Sequence, residues 1–253
     1  MSILAWRVKR KLTIFFIVFL VVGILAGLWI YFYLPEPTCF DGKENQDEEG
    51  VDCGGSCTPC VASPKNVITL WTRVFKVSDG VYEAAALIEN PNIFYGLSVF
   101  KYTFKLYDVN NVLVAIKDNQ TFLNPRDKFV IWAGNLQTGK SEAVRAFFEI
   151  ETVSPWRYID EEIFSVLVSE KTFTNTPFPV LRAKLVNQSI LALENISVAA
   201  VLYDENENAM AVSSTKIDSI PGESGQEVVF TWPMSFAEEP VSSEIFVRVN
   251  LSH

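Results

Sequence analysis

The triplet Leu106-Tyr107-Asp108 returns 96 residues later as Leu202-Tyr203-Asp204, and Pro125 returns at the same distance as Pro221. Around these anchors a whole order of features repeats. LIENPN at 87–92 is answered by LVNQSI at 185–190, FKLYDVNNVLVA at 104–115 by AVLYDENENAMA at 200–211, and FFEI at 147–150 by IFVRV at 245–249. Trp132 and Trp232 read as counterparts that close matching strands. A period this long means tandem domains, because solenoid repeats run roughly 20–50 residues. Within the first copy hydrophobicity alternates with period two. Phe100, Tyr102, Phe104 and Leu106 take one face, and Lys101, Thr103 and Lys105 take the other, as in a half-buried strand. Ser78-Asp79-Gly80 reads as a hairpin turn, and Asp108–Asn111 as a turn whose Asp bonds its own backbone. Short strands and polar turns in copies of this length predict two β-sandwiches, at 62–152 and 153–253, with the boundary near TVSPWRYIDEE. The tryptophans Trp71, Trp132, Trp156 and Trp232 read as core or junction packing.

The first copy carries Asn90-Pro91-Asn92 and then an aromatic-rich strand ending in Leu106-Tyr107-Asp108. In this it resembles the water-stress (WHy) domain of late-embryogenesis-abundant proteins. Both copies, through the x-L-Y-D turn and the later proline, also resemble the FxLYD domain of prokaryotic membrane-anchored proteins. The resemblance spans about residues 66–252. It implies immunoglobulin-like or fibronectin-like sandwiches, often fused to one N-terminal transmembrane helix, with no known catalytic residues. The second copy has Asn187-Gln188-Ser189 where the first has Asn-Pro-Asn.

Ahead of the repeat, Leu12 to Leu34 is an uncharged, proline-free run. At ~1.5 Å per residue it is long enough for a ~30 Å hydrocarbon core. Trp29, Tyr31 and Tyr33 sit near its end, where amphipathic rings favour the interface. Arg7, Lys9, Arg10 and Lys11 precede it, with no acid before residue 35, so residues 1–11 are expected in the cytoplasm. A cleavable signal would have a core of ~7–15 residues and a small-x-small site; this run is longer and ends in aromatics. Residues 12–34 therefore read as a single-pass anchor in the lipid bilayer. The expected location is the cell membrane, with everything C-terminal extracytoplasmic. Gly23 and Gly27 are spaced to permit helix dimerisation.

Without the four flank bases, 17 Lys and Arg face 30 Asp and Glu, a net charge of −13. Such an acidic ectodomain excludes nucleic acid and anionic headgroups as partners.

All four cysteines, Cys39, Cys53, Cys57 and Cys60, lie between the anchor and the repeat, in an acidic neck at 35–61. Their even number and export point to two disulfides, and three pairings are open. With only Phe40 and Val51 as large apolar residues between Cys39 and Cys60, the segment cannot build a core and needs staples. One CxxC and a single histidine, His253, do not make a structural zinc site. Asp41, Asn45, Glu48 and Asp52, with Gly42, Gly54 and Gly55, offer the oxygen ligands and turns that calcium takes. The EF-hand spacing is absent, and a solvated acidic loop is the simpler reading. No other cofactor is expected. The stretch also resembles cysteine-rich segments of predicted bacterial and archaeal surface proteins, C-x-D-G-x2-N-x2-E-x3-D-C-G-G-x-C-x2-C, at every position from Cys39 to Cys60. That implies an exported context and no activity.

Asn119, Asn187, Asn195 and Asn250 begin Asn-x-Ser/Thr sequons and are candidate glycosylation sites. No nucleophile elbow, phosphate loop, GxGxxG or HExxH occurs, so no enzymatic activity is expected. The fold class expected is mainly β: a transmembrane helix, a disulfide-stapled neck and two tandem immunoglobulin/fibronectin-like sandwiches. The function expected is that of a structural or assembly protein of the cell envelope, a tethered rod spacing other components. The alternative is a module capturing a peptide, a glycan or an envelope protein. Its partner is another envelope protein or a second copy of itself.

Overall fold

A computed structural model describes residues 3–33, 39, 41–45, 47–48, 52–57, 64–151, 155–159 and 164–251. The chain divides into two compact units, Met1–Ala62 and Ser63–His253.

The first unit contains the helix α1, Ile3–Tyr33. It begins well before the apolar run, because nothing in the basic flank breaks a helix; Thr13 Oγ1 donates back to the Lys9 carbonyl at 2.9 Å. Its stretch Val8–Trp29 is long and apolar enough to cross a membrane. The neck contains a disulfide between Cys39 and Cys57, with Cα atoms 5.5 Å apart. Cys53 is disulfide-bonded as well, and Cys60 lies outside the described residues.

The second unit is mainly β. Its first half holds β1 (Ile68–Ser78), β2 (Val81–Glu89), β3 (Tyr95–Tyr107), β4 (Leu113–Leu123), β5 (Lys128–Gln137) and β6 (Arg145–Ile150). These form the antiparallel sheets β1-β2-β5 and β4-β3-β6. A two-residue strand, β7 (Arg157–Tyr158), pairs with the start of β3. The second half holds β8 (Val166–Thr174), β9 (Val180–Asn187), β10 (Leu193–Tyr203), β11 (Ala209–Ile220), β12 (Gly225–Thr231) and β13 (Ser242–Arg248). Their sheets, β12-β9-β8 and β11-β10-β13, repeat the first pair strand for strand.

Turn chemistry repeats too. Asp108 Oδ1 accepts from the amides of Asn110 and Val112, and Asp204 Oδ1 from those of Asn206 and Asn208. Each turn then passes through a left-handed residue, Asn111 or Glu207. The bonds from the Asn208 amide, above all, hold the Asp204 carboxyl below its ordinary range. A lowered carboxyl contributes stability above its unfolded value and loses it as pH falls through the folded one. Asp204→Asn is therefore expected to lower stability at neutral pH and to flatten the acid limb of a pH–stability curve below about pH 4.

Each sandwich closes over its own core. Phe100, Phe104 and Leu106 of β3 meet Ala84, Ile88, Phe129 and Ile131 in the first. Leu181, Leu185, Ile196, Leu202 and Phe230 fill the second. Trp232 lies within the second core, donating Nε1 to the Val212 carbonyl at 3.2 Å, whereas Trp132 lies on the outer face of β5, bonded to Glu83. The two tryptophans are thus not counterparts. Cross-strand partners share a face, and Trp132 pairs Ala85 while Ile131 pairs Ala86.

The sandwiches do not lie end to end. Val201, Val212 and Phe246, on the outer face of β11-β10-β13, are buried in one cluster with residues of the first sandwich. The facing surface is β1-β2-β5, whose outer residues Ala85, Leu87 and Val130 are also buried. The four sheets therefore stack as layers, and the rod expected from tandem domains is not formed. β2 and β10 lie in the two middle layers and are covered on both faces, which is why EAAALIE and SVAAVL break the alternation.

Among the described residues, one ion pair crosses the seam. Arg248 of β13 reaches between the edge strands β4 and β5 of the first sandwich. Nε and Nη2 bond Asp127 Oδ2 at 3.1 and 2.9 Å, Nη1 bonds Thr121 Oγ1, and Nη2 bonds the Phe122 carbonyl. The guanidinium lies 3.2 Å from the Phe129 ring centroid and 4.1 Å from that of Phe122. Burial lowers the arginine's pKa and the Asp127 charge opposes that effect. Asn124 adds two bonds across the same seam, to the Val249 carbonyl and the Leu251 amide.

Candidate functional site: the cleft between the sandwiches

Stacking two twisted sandwiches leaves a cleft of about 470 Å³ at one margin of the seam. Its walls are Arg73–Val77 of edge strand β1, Ala209–Ala211 at the start of β11, and the loop Trp232–Phe236 after β12. Each wall is braced. Arg73 Nη2 donates to Asn208 Oδ1 at 2.8 Å, so the Leu-Tyr-Asp turn of the second copy ties back to the first sandwich. Asn175 clamps the loop, donating Nδ2 to the Phe236 carbonyl and accepting from the Phe236 amide. Phe236 in turn packs on Phe173 and Trp232.

The lining mixes apolar side chains with the polar groups of Arg73, Lys76, Glu83 and Ser235. Met210, Met234, Trp232 and Phe75 supply soft and aromatic surface. Burial raises the Glu83 carboxyl above its ordinary range, against the opposing bond from Trp132 Nε1. Lys76 is engaged by Asp79 at 3.0 Å, and the Ser235 hydroxyl bonds the carbonyls of Asn175 and Pro177. The arrangement suits recognition of a surface on which apolar and polar groups lie side by side. It offers no activated nucleophile among the described lining residues.

The structure gathers the candidate cation ligands of the neck and engages them. Asp52 accepts from the amides of Asp41 and Gly42, Asp41 from the Lys43 amide and Asn45 Nδ2, and Glu48 from the Asn45 amide. Only Asn45 Oδ1 has no partner among the described buried side-chain atoms. The oxygens are of the type calcium takes, and the same carboxylates close the loop through hydrogen bonds. Cys39, Glu48 and Cys57 also cluster, but both sulfurs are in the disulfide and supply no thiolate. Reduction is accordingly expected to open the neck to limited proteolysis, while EGTA leaves the cleavage pattern unchanged. Protection that appears with calcium would show the loop holding an ion.

Of the orientation residues, Lys9, Arg10 and Lys11 are exposed on α1; Arg7 lies in the same helix, its side chain outside the described residues. Among the sequons, Asn119 and Asn195 are exposed and Asn250 is half-buried. Asn187 is a correction. It is 0% exposed, and its Nδ2 donates to the carbonyls of Leu191, Ile220 and Pro221. A glycan on that nitrogen is incompatible with the fold. Asn90 is its counterpart, donating to the carbonyls of Tyr95 and Asn124.

The cleft and the Arg248 lock were not foreseen from the sequence. No local pattern marks them, since they arise from packing between copies.

Comparison with known family models gives no match, and no curated protein matches. Among solved structures, the chain is similar to the crystal structure of red sea bream transglutaminase over 71% of this chain and 29% of that one, at 11% identity and a TM-score of 0.21. A likeness that distant carries no weight for fold or activity.

Proposed function

We propose that this is a non-enzymatic, membrane-anchored assembly protein of the cell envelope, which holds an envelope partner in the cleft between its sandwiches. The observation that carries the reading is the cleft itself: a cavity of about 470 Å³ with mixed apolar and polar walls, held by Arg73, Asn208 and Asn175. Pockets at domain interfaces of this size are where binding sites concentrate. The helix Ile3–Tyr33, with its basic flank and apolar span, supports a single-pass anchor with the N-terminus cytoplasmic and the sandwiches outside. The acidic ectodomain supports a protein partner over nucleic acid.

The test is a photo-crosslinking residue in place of Met234, whose side chain is exposed at the cleft, in the intact protein in its native membrane. An adduct with one envelope protein, absent when the probe sits at exposed Asn119 on β4, is expected. Adducts only with other copies of the chain, or equally from both positions, would overturn the reading.

A further inference from the structure

Among the differences between the two copies, one loop exposes an apolar tip. In the first copy the loop after Asn90 leads into β3 and is covered by the chain itself. Tyr95 and Gly96 pair with Tyr158 and Arg157 of β7, and the Ile159 amide donates to the Phe94 carbonyl at 2.8 Å. Tyr158 lies 5.6 Å from the Phe94 ring and 6.0 Å from the Tyr95 ring. In the second copy Asn187 makes the bond to the Leu191 carbonyl that Asn90 makes to that of Tyr95. Leu191 is therefore the counterpart of Tyr95. Among the described residues no strand lies on it, and β13 pairs with β10 only from Ser197 onward. Ile190 is 86% and Leu191 77% exposed.

This tip is rigid. The Ser189 hydroxyl bonds Asn187 Oδ1 and the Leu191 carbonyl, and the Glu223 amide bonds the Ser189 carbonyl. A Cβ on Gly222 would meet the Ile190 carbonyl at 1.9 Å, so only glycine fits beneath the loop. Bonds that hold two large aliphatics in water serve no packing purpose within the chain.

Charge narrows what covers them. From Leu185 to Val247 the sequence has ten acids and one base, Lys216. Exposed Glu194 and Glu223 flank the tip. An anionic lipid surface is disfavoured and a basic segment favoured. The first copy shows the kind of segment that fits: extended, with Arg157 beside Tyr158.

We propose that Ile190 and Leu191 dock a short extended segment of another polypeptide, carrying an aromatic or apolar residue next to a basic one, added as a strand along the Leu191 edge. This site is separate from the cleft and does not depend on it. The test uses a fluorescent peptide with the chain's own sequence Pro155–Ile159 against the full-length protein in detergent. Ile190→Ser and Leu191→Ser change only exposed side chains, and unchanged circular dichroism will show that the fold is kept. Saturable binding is expected, at least tenfold weaker in either variant and with the peptide's arginine replaced by glutamate. No binding at millimolar peptide, or equal binding by the variants, overturns the proposal. Self-association of the protein that Leu191→Ser abolishes would also overturn it, by naming a second copy as the occupant.

Discussion

Arg248→Ala is expected to destabilise the β unit by about 3–5 kcal/mol, because breaking a buried pair leaves its partner uncompensated. Asp127 would keep its charge in a site where both side chains of the pair are about one-tenth exposed. The Phe122 carbonyl and the Thr121 hydroxyl would lose a donor, and the Phe129 and Phe122 rings their cation. At roughly 2–4 °C per kcal/mol for a unit of this size, the thermal midpoint should fall by about 10 °C. Replacing both partners, Arg248→Met with Asp127→Leu, should recover much of the loss, since an apolar pair carries no desolvation cost. A single alanine that changes the midpoint by less than ~1 °C would mean that the sandwiches are not locked by this pair.

Asn187→Ala is expected to cost about 1–3 kcal/mol, the penalty of a buried carbonyl left without its donor. Its Nδ2 serves the carbonyls of Leu191, Ile220 and Pro221, but the Ser189 and Ser224 hydroxyls also reach those of Leu191 and Pro221, so the Ile220 carbonyl bears most of the loss. Ser189→Ala destroys the same sequon while keeping the asparagine, and should cost only about 1 kcal/mol. Urea unfolding of the two variants separates the readings. Equal losses would implicate a modification at Asn187; a large loss from Asn187→Ala alone implicates its bonds. Asn90→Ala should behave like Asn187→Ala, since the carbonyls of Tyr95 and Asn124 lose its donor.

Much of the fold is legible in the sequence because it is local. Period-two runs become strands, and Asp108 and Asp204 bond their own turns as their residue type dictates. The asparagine case shows where local reading fails. Asn-Gln-Ser has the form of a sequon, and nothing within three residues reveals burial. The repeat did contain a hint: its counterpart Asn90 precedes proline, cannot be a sequon, and still keeps the asparagine. The face-to-face stack left a similar trace. Ala84-Ala85-Ala86 and Ala199-Ala200-Val201 are continuous small apolar runs, as strands covered on both sides require. Arg248 left none, because its partners lie more than a hundred residues away and its worth depends on a seam that only the folded unit creates.

The cleft exists only if the sandwiches are docked as one body, so the interlayer distance is the decisive quantity. Spin labels at Lys101 on β3 and Glu227 on β12 occupy exposed positions on the two outermost layers. Three sheet-to-sheet spacings of ~10 Å place them roughly 30 Å apart, apart from the labels' own reach. The pulsed dipolar distance distribution of the full-length protein is expected to be narrow and centred at that spacing plus the outward reach of the two labels. A broad distribution, or one that exceeds about 45 Å once that reach is subtracted, as end-to-end sandwiches would give, contradicts the stack and removes the cleft with it.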